Sequence, residues 1–385
     1  MDSMVSTNLK FKRMFVNILR LFAILAIALL ATGNVYAQIG ARNEGWQQVN
    51  ANGFGNPETT GVISLEAFRG RVYASTANLN TGGQVWRWQN DDQWQQVSES
   101  GFGSGSENWA IIDLAVFQGE LYAGMGWGAT PGQVWRTADG TDWESVTPDG
   151  FGDGGNIAIT NFAVFRGMLY AGTGTVDTGV QIWRSRSGNS DSWTQVAPDG
   201  DAPAGNVTGY AIYDGVLYAA VEPSGGFGGP VQVWRSTNGS DWETITSDGF
   251  GDTLNESTGG FAQFRGYLYL GTRNETSGGQ IWRTANGIDW ELVVSDGFGN
   301  LDNIKVESLL VYGGMLYAAT FNPVTGVEVW RSADGIGWEQ VSANGFGNSN
   351  NFATLWNNAT LEYQGKILFG TWNDVDGGEL WMFSR

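Results

Sequence analysis

The side chains that could do chemistry in this sequence are carboxylates, amides, hydroxyls and aromatic rings. Its 385 residues contain no cysteine and no histidine, which excludes disulfides, thiolate metal sites and cysteine nucleophiles. A bound metal ion would need oxygen ligands, as Ca²⁺ and Mg²⁺ do. The recurrent [DN]-G-F-G-[DN] segments, such as residues 149–153, offer carboxylates but not six ligands at a fixed spacing. We therefore predict no cofactor, with Ca²⁺ as the alternative, and interpret these segments as glycine turns whose Phe packs between neighbouring units.

Tryptophan is the second candidate group, and most of its copies follow a repeat. There are 19, and the one that opens W-x-x-[VI] recurs every 48 to 50 residues, at Trp46, Trp94, Trp143, Trp193, Trp242, Trp290 and Trp338. A fixed period of this length indicates a repeat architecture. Seven further tryptophans recur once per repeat, in the third apolar run of each unit. Residues present in every unit are most economically structural, so we expect function where the pattern breaks, at Trp88, Trp109, Trp127, Trp356 and Trp372.

The repeat consists of short apolar runs that alternate with glycine-containing turns. Such runs are typical of antiparallel strands rather than helices, and each repeat offers four, named A to D in chain order. Four-stranded repeats of about 40 to 50 residues are typical of propeller blades. The sequence starts with a lone D strand at 46–49 and finishes with strands A, B and C. We therefore predict an all-β fold, a seven-bladed β-propeller of four-stranded antiparallel blades, closed by strand 46–49 joining the C-terminal blade.

The first 37 residues have the features of a secretory signal peptide. Four basic residues precede an uncharged run from Leu21 to Thr32, and residues 35–37 (VYA) fit a signal-peptidase site. The run of 12 residues is shorter than the roughly 20 that cross a bilayer. The alternative is that the segment is retained as a membrane anchor. The predicted domains are a signal peptide at 1–37, a linker at 38–45 and the propeller at 46–385. We expect an exported protein, extracellular or periplasmic.

The charge of the chain limits its partners. The formal net charge is −19, and removal of the signal peptide, with its four basic residues and one acidic residue, takes it to −22. So acidic a surface repels phosphate backbones and anionic lipids. We therefore predict no nucleic-acid partner, and no membrane contact beyond the possible signal anchor.

The turn between strands C and D carries a family resemblance. Segments 137–143 (TADGTDW), 236–242 (STNGSDW) and 332–338 (SADGIGW) resemble the Asp-box, or BNR-type, hairpin of propeller repeats in sialidases and many secreted bacterial proteins. The resemblance covers residues 46–385, and the turn here is one residue shorter than the family pattern. It implies a structural hairpin whose Asp accepts backbone N–H groups. A sialidase active site does not carry over, because the arginines lie mostly in repeated W-R and F-R-G positions.

Four of the five non-repeat tryptophans are expected on one face of the propeller. The D-to-A and B-to-C loops share one end of the strands, the top face, and these tryptophans fall in such loops of the second and seventh blades, both neighbours of the first. Trp88 belongs near the opposite, bottom face. Exposed indoles stack on sugars while amides and carboxylates bind hydroxyl groups, and aromatic residues also favour protein interfaces. The predicted ligand-binding residues are Trp109, Trp127, Trp356, Trp372, Asn78, Asn108, Asn373 and Asp374, with the alternative that the indoles pack beneath their own loops.

Polar residues on the predicted innermost strands form a further candidate site. Asp113, Asn161 and Glu307, together with Glu66, depart from the small residues expected where seven blades converge. Two carboxylates there could act as acid and base, although lining a hydrated channel is the commoner role for such residues.

Three functions follow from these patterns, in order of preference. The first is an exported, non-enzymatic recognition module that binds carbohydrate or a cell-surface ligand through top-face loops. The second is a protein-interaction scaffold, and the third is a hydrolase or lyase that uses channel carboxylates. The expected partner is thus a carbohydrate or protein ligand, and catalysis stays open at this point.

Overall fold

The computed structural model describes residue 43 and residues 45–197, 202–223, 229–354 and 358–384. Its regular structure is antiparallel β-sheet with short 3-10 turns, and the described ranges contain no α-helix. The predicted all-β class is therefore confirmed. Within those ranges no helix is long and apolar enough to cross a membrane. The predicted signal peptide, residues 1–37, lies outside the described residues, as does most of the predicted linker.

The strands follow one another in antiparallel meanders of four, here called units. The chain begins with β1 (Trp46–Gln48), and unit 1 follows with β2 (Thr59–Phe68), β3 (Arg71–Asn78), β4 (Val85–Asn90) and β5 (Gln93–Gln96). Unit 2 consists of β6 (Ala110–Phe117), β7 (Glu120–Gly126), β8 (Gln133–Thr137) and β9 (Glu144–Ser145). Unit 3 consists of β10 (Asn156–Phe165), β11 (Met168–Thr175), β12 (Ile182–Ser185) and β13 (Trp193–Gln195). Unit 4 consists of β14 (Gly205–Tyr213), β15 (Val216–Pro223), β16 (Gln232–Ser236) and β17 (Glu243–Thr246), and unit 5 of β18 (Ser257–Phe264), β19 (Tyr267–Arg273), β20 (Gln280–Thr284) and β21 (Trp290–Val294). Unit 6 consists of β22 (Lys305–Tyr312), β23 (Met315–Phe321), β24 (Val329–Ser332) and β25 (Glu339–Gln340). Unit 7 contributes β26 (Thr360–Tyr363), β27 (Lys366–Gly370) and β28 (Leu380–Ser384). The described 3-10 turns are Asn52–Gly55, Ser100–Gly103, Gly105–Glu107, Asp149–Gly152, Gly297–Gly299 and Asn344–Gly347.

The first strand of the chain pairs with the last. β1 lies antiparallel to β28, with Trp46 opposite Phe383, in a four-stranded sheet ordered β1-β28-β27-β26. The pairing continues beyond β1, because the Val49 amide donates to the Leu380 carbonyl at 2.8 Å. β1 is therefore the fourth strand of unit 7.

The hairpin between the first two strands of a unit depends on two residues with left-handed backbone. In Arg69-Gly70 the φ values are 48° and 73°, and in Asp214-Gly215 they are 50° and 74°. Two positive φ values in a two-residue loop define the type I′ turn, whose twist matches that of the flanking strands. The first and second strands of these units are thus joined by two-residue hairpins, one form of the glycine-containing turns predicted between the strands.

Within the described residues, backbone bridges connect the end of the second strand to the first strand of the next unit at five junctions between units. The bridged pairs are Ala77 with Ala110, Gly126 with Ala158, Gly174 with Asn206, Arg273 with Lys305, and Trp372 with Gly61. The last pair links unit 7 to unit 1. All of these bridges lie where second strands end and first strands begin, which is the top face as defined from the sequence.

The hydrophobic core lies between successive units. One cluster joins Tyr73 and Val85 of unit 1 to Leu121 of unit 2 and includes Phe102 of a G-F-G segment. The Phe102 ring stacks on Trp135 with a centroid distance of 4.7 Å and an interplanar angle of 6°. The other G-F-G phenylalanines stack in the same way, at Phe54, Phe151, Phe250, Phe298 and Phe346. This matches the interpretation of these segments as turns with an anchored Phe.

The turn between the third and fourth strands uses one side chain to bind several amides. Asp139 Oδ1 accepts hydrogen bonds from the N–H groups of Thr141 and Asp142, both at 2.8 Å. Asn238 binds the equivalent amides of its own turn at 2.8 and 2.9 Å. These amide bonds hold the pKa of Asp139 well below its usual range. The residues thus have the structural role expected of them, while membership of the Asp-box family stays a prediction.

Candidate functional site

The predicted top-face tryptophans lie together but are buried. Trp109, Trp127 and Trp372 share one hydrophobic cluster, and their exposed fractions are 4%, 7% and 4%. The rings of Trp109 and Trp127 are 5.6 Å apart, and Trp372 packs over Gly61, where an added Cβ would lie 2.5 Å from the indole. The expectation that these indole faces are exposed is wrong, because the small residues of neighbouring units leave space that the rings fill.

The three predicted amide ligands hold loops in place. Asn78 Oδ1 accepts from the N–H groups of Asn80 and Thr81, and Asn373 Oδ1 binds the two amides of its own loop. Asn274 and Asn322 occupy the same position in units 5 and 6 and make the same bonds. All four are therefore Asx turns repeated from unit to unit.

Asn108 also belongs to a repeated motif. Its Nδ2 donates to the carbonyl of Gly101, and equivalent bonds connect Asn156 to Gly150 and Asn255 to Gly249. The side chain is 1% exposed, and its Oδ1 accepts the Thr130 hydroxyl, so both of its polar atoms are bound within the fold.

The two remaining predicted residues differ from the rest. Asp374 is exposed and accepts the indole N–H of Trp372 at 2.6 Å. Trp356 lies outside the described residues. The ligand-binding role of the predicted set stays a prediction.

The inner strands bring two of the predicted channel carboxylates close to each other. Asp113 accepts hydrogen bonds from Ser64 Oγ at 3.1 Å and from the amides of Leu114 and Phe162 at 2.9 and 2.7 Å, so it ties units 1, 2 and 3 together. Burial and, to a smaller extent, the nearby charge of Glu66 raise the pKa of Asp113 to about 8, although the three hydrogen-bond donors lower it. Burial also raises the pKa of Glu66 to about 7.

Asn161, the third polar residue predicted near the axis, reaches across the molecule. Its Nδ2 donates to Asn358 Oδ1 of unit 7 at 3.3 Å and to the Thr208 carbonyl of unit 4 at 3.5 Å. First strands that are far apart in the chain therefore converge. The donors around Asp113 and Asn161 are mostly groups of the fold itself, which favours a structural role for this inner network.

A different set of ionisable residues comes together at the top face of units 4, 5 and 6. The seventh position counted from the start of the second strand varies between units, and the residues there are Ala77, Gly126, Gly174, Glu222, Arg273, Phe321 and Trp372. The facing residue at the start of the first strand also varies, as Gly61, Ala110, Ala158, Asn206, Ser257 and Lys305. Units 1 to 3 thus carry small or neutral residues at this level, whereas units 4 to 6 carry charge.

We call this group the charged cluster, and its members are Glu222, Ser257, Arg273, Lys305 and Glu307. Ser257 Oγ donates to Glu222 Oε2 at 2.5 Å. Lys305 Nζ lies 3.1 Å from Glu307 Oε2. All five residues are between 2% and 9% exposed. The side chain of Arg273 also pairs with Glu275, which is 45% exposed and connects the cluster to the surface.

The electrostatics of the charged cluster single out Glu222. Burial raises the pKa of Glu222, and the charge of Glu307 adds to this effect. Lys305, the Ser257 hydroxyl and Arg273 act in the opposite direction without cancelling it. Buried ions cost free energy even when paired, and a carboxylate perturbed by desolvation and by named charges is a recognised sign of a functional site.

The described acidic residues do not gather into a group of metal ligands. That part of the chain contains no group of three or more acidic side chains placed to hold a metal ion. The G-F-G carboxylates instead bind turn amides and neighbouring side chains, as Asp153 does with the Gly155 amide and Gln181.

Most of the charged cluster was missed from sequence, although a signal was present. Glu307 was noted as a polar departure on an inner strand, but Glu222, Arg273 and Lys305 were not. Aligning the second strands by their L-Y-A or related core would have placed Glu222 and Arg273 at the position that holds Trp372.

Comparison with known proteins shows the fold but no family. No protein-family model matches the chain, and no curated protein matches it. The structure is similar to an ancestral GH74 enzyme, with a TM-score of 0.56, 13% identity and coverage of 85% of this chain and 48% of that one. It is also similar to the polysaccharide lyase Uly1, with a TM-score of 0.52, 11% identity and coverage of 91% and 94%. The chain spans about half the length of the GH74 enzyme.

These similarities correct one prediction from the sequence. Both structural neighbours are propeller-like, carbohydrate-active enzymes. The preferred prediction, a non-enzymatic recognition module, is contradicted by them. At the level of the fold, the comparisons support an all-β, propeller-type architecture similar to that of these two enzymes.

Proposed function

We propose that this protein is a polysaccharide-cleaving enzyme whose reactive groups are those of the charged cluster. The observation that carries the proposal is the pair of buried carboxylates, Glu222 and Glu307, placed with two cations at the top face. The inner carboxylates Asp113 and Glu66 are the weaker candidates, because the donors that bind Asp113 come from the fold itself. The similarity in fold to two carbohydrate-active enzymes supports the same class.

Hydrolysis of a glycosidic bond uses one protonated and one ionised carboxyl group. The raised pKa of Glu222 lets it keep a proton and donate it to the departing glycosidic oxygen. Glu307, paired with the Lys305 ammonium, supplies the second carboxylate, which either activates water or attacks the anomeric carbon. Ser257 holds Glu222 in position through its hydrogen bond. Water is consumed, and each cleavage leaves one new reducing end.

A lyase is the second candidate, and the two cations favour it. In β-elimination from a uronate, a base removes the proton at C5 and the bond from C4 to the glycosidic oxygen breaks, which leaves a C4–C5 double bond without consuming water. Arg273 and Lys305 could hold the uronate carboxylate and stabilise the negative charge that develops next to it. Glu307 would then be the base and Glu222 the acid.

One experiment tests both candidates. Residues 38–385 are incubated with a neutral β-glucan, a xylan, pectate and alginate, while new reducing ends and the ultraviolet absorbance of unsaturated uronates are followed. Reducing ends without absorbance indicate hydrolysis, and both signals together indicate elimination. Absence of both signals on a broad set of neutral and acidic polysaccharides contradicts the proposed function.

We also propose the finer architecture in which this site is set. The seven units are the blades of one propeller spanning residues 46–385, and the pairing of β1 with β28 together with the Gly61–Trp372 bridge supports a closed ring. Residues 1–37 are proposed to be a signal peptide and residues 38–45 a linker, so that the enzyme is exported to where polysaccharides are found. Mass spectrometry of the secreted protein checks this, since cleavage leaves Gln38 at the amino terminus.

A further inference from the structure

The turn between β4 and β5 departs from the same turn in the five following units. In those units a Ser or Thr ends the third strand, and its hydroxyl oxygen accepts the N–H of a glycine three residues later at 2.7 to 2.9 Å, in the pairs Thr137–Gly140, Ser185–Gly188, Ser236–Gly239, Thr284–Gly287 and Ser332–Gly335. In unit 1 the equivalent residues are Trp88 and Asp91. Asp91 keeps the left-handed backbone with a φ of 42°.

The glycine in the other turns is required by a tyrosine of the preceding unit. A Cβ added to Gly140 would lie 2.0 Å from the hydroxyl of Tyr73, and one added to Gly239 would lie 1.9 Å from that of Tyr170. The unit that precedes unit 1 is unit 7, where Leu368 stands in place of the tyrosine. At the interface between units 7 and 1, no tyrosine hydroxyl therefore restricts this position of the turn to glycine.

The unrestricted position opens a groove, here called the seam groove. It has a volume of about 260 Å³ and is lined chiefly by Arg71, Trp88, Gln89, Asn90, Tyr363 and Gln364. The rings of Trp88 and Tyr363 are 6.5 Å apart at 57°. Trp88 stacks on Trp94 and donates its indole N–H to the Asp91 carbonyl at 2.9 Å, so the ring is held in one orientation while part of it stays exposed.

The polar rim of the seam groove is also held in place. Arg71 Nη1 donates to the carbonyls of Trp88 and Gln89 at 3.4 and 3.2 Å, and Tyr363 donates to the Gly70 carbonyl. Gln89, Asn90 and Gln364 add primary amides, of which the last two are exposed. A fixed aromatic surface beside several amides suits a sugar ring, since apolar C–H groups contact the ring face and hydroxyls bond the amides.

We propose that the seam groove is an accessory site that binds one sugar residue of a polysaccharide. Its volume falls just below the roughly 300–1,000 Å³ of pockets for drug-sized ligands, which fits a single pyranose. The groove lies where second strands begin, whereas the charged cluster lies where they end. A glycan bound in the groove is thus held but not cleaved, and the site stands independently of the catalytic proposal.

The test restores the repeat's own turn. In residues 38–385, the double substitution Trp88→Thr and Asp91→Gly restores the Thr and the Gly that units 2 and 5 carry at these two positions, so the turn keeps residues that the fold already uses there. Binding is measured on a glycan array and by calorimetry with the best ligand. Wild type is expected to bind, and Trp88→Phe is expected to bind within a few-fold of wild type. The double variant is expected to bind at least about tenfold more weakly while a cooperative thermal melt shows that it is folded.

A matched control changes an exposed carboxylate outside both the seam groove and the charged cluster. Glu243→Gln, whose native side chain pairs with Arg235, is expected to bind the array glycans as wild type does. Equal binding by wild type and the double variant overturns the proposal, as does a wild-type protein that binds no glycan on the array. Loss of binding in Glu243→Gln to the level of the double variant overturns it too, because the loss would then not be specific to the groove.

Discussion

Ser257, at the start of β18, donates a 2.5 Å hydrogen bond to Glu222 near the end of β15 and so connects units 4 and 5 at the top face. This bond favours the ionised form of Glu222 and opposes the effect of burial on its pKa. In Ser257→Ala the pKa of Glu222 is expected to rise further. If Glu222 is the general acid, the alkaline limb of the profile of kcat/KM against pH moves to higher pH.

Ser257→Thr serves as the control for this shift. It keeps the hydroxyl donor and is expected to keep the wild-type profile. A Ser257→Ala variant whose alkaline limb stays in place, with only a uniform loss of rate, argues that Glu222 is not the titrating acid.

The second prediction concerns Asp139 in the turn of unit 2. Replacing it by Ala leaves the amides of Thr141 and Asp142 without their acceptor, and we expect the free energy of unfolding to fall by about 1 kcal/mol. Asp139→Asn is expected to stay close to wild type at neutral pH, because Asn238 and Asn286 bind the same amides naturally. Chemical denaturation measures both.

The lowered pKa of Asp139 adds a pH dependence to this comparison. The contribution of its carboxylate is present above its ordinary pKa and is lost as pH falls towards the folded value. Asp139→Asn should therefore lose less stability than wild type on acidification. An Asn variant as unstable as the Ala variant at neutral pH would contradict the hydrogen-bond account.

The third prediction concerns Trp372, which is 4% exposed and packs on Gly61. Trp372→Ala removes a large buried ring and is expected to cost about 3–5 kcal/mol of stability. Exposed residues can be truncated at little cost, so Asp374→Ala is expected to change stability far less even though Asp374 accepts the indole N–H. Melting temperatures of the two variants distinguish a buried role of this indole from a surface role.

The fourth prediction concerns Glu66, whose pKa is raised from 4.5 to about 7 by burial. Between these values the folded state holds a proton that the unfolded state has released, so stability falls as pH rises through this window. Glu66→Gln removes the effect. The variant should match wild type near pH 4.5 and become the more stable of the two by pH 8, in thermal melts across the range. A difference that does not grow with pH contradicts the assigned pKa.

Much of the fold could be predicted because it depends on local signals that recur in every unit. The tryptophan period, the two-residue hairpins and the G-F-G segments each specify one step of the chain path, and neighbouring units repeat the same contacts. The Asp-containing turn was predicted for the same reason, since its side chain and its amides lie within a few residues of each other.

The site could not be predicted in the same way, because burial depends on which small residues face each other across units. Trp372 is buried since Gly61 leaves room for its ring, and nothing near Trp372 in sequence shows this. Glu222, Arg273 and Lys305 come from three units and are brought together by interunit pairing alone. Aligning the second strands with one another places Glu222 and Arg273 at one level of the fold, and Lys305 joins them only through the bridge between Arg273 and Lys305.

The measurement that tests the central claim most directly is the turnover of Glu222→Gln and Glu307→Gln on the polysaccharide that wild type cleaves. Each substitution preserves size and removes one carboxyl group, and both variants are expected to lose kcat by about 100-fold or more at a temperature where thermal melts show each of them to be folded. Glu307→Gln is expected to melt at a lower temperature than wild type, because it leaves the buried Lys305 ammonium without its partner. Glu243→Gln, which changes an exposed carboxylate paired with Arg235, is expected to retain full activity. Wild-type turnover in either cluster variant would show that cleavage does not depend on that carboxylate and would contradict the account.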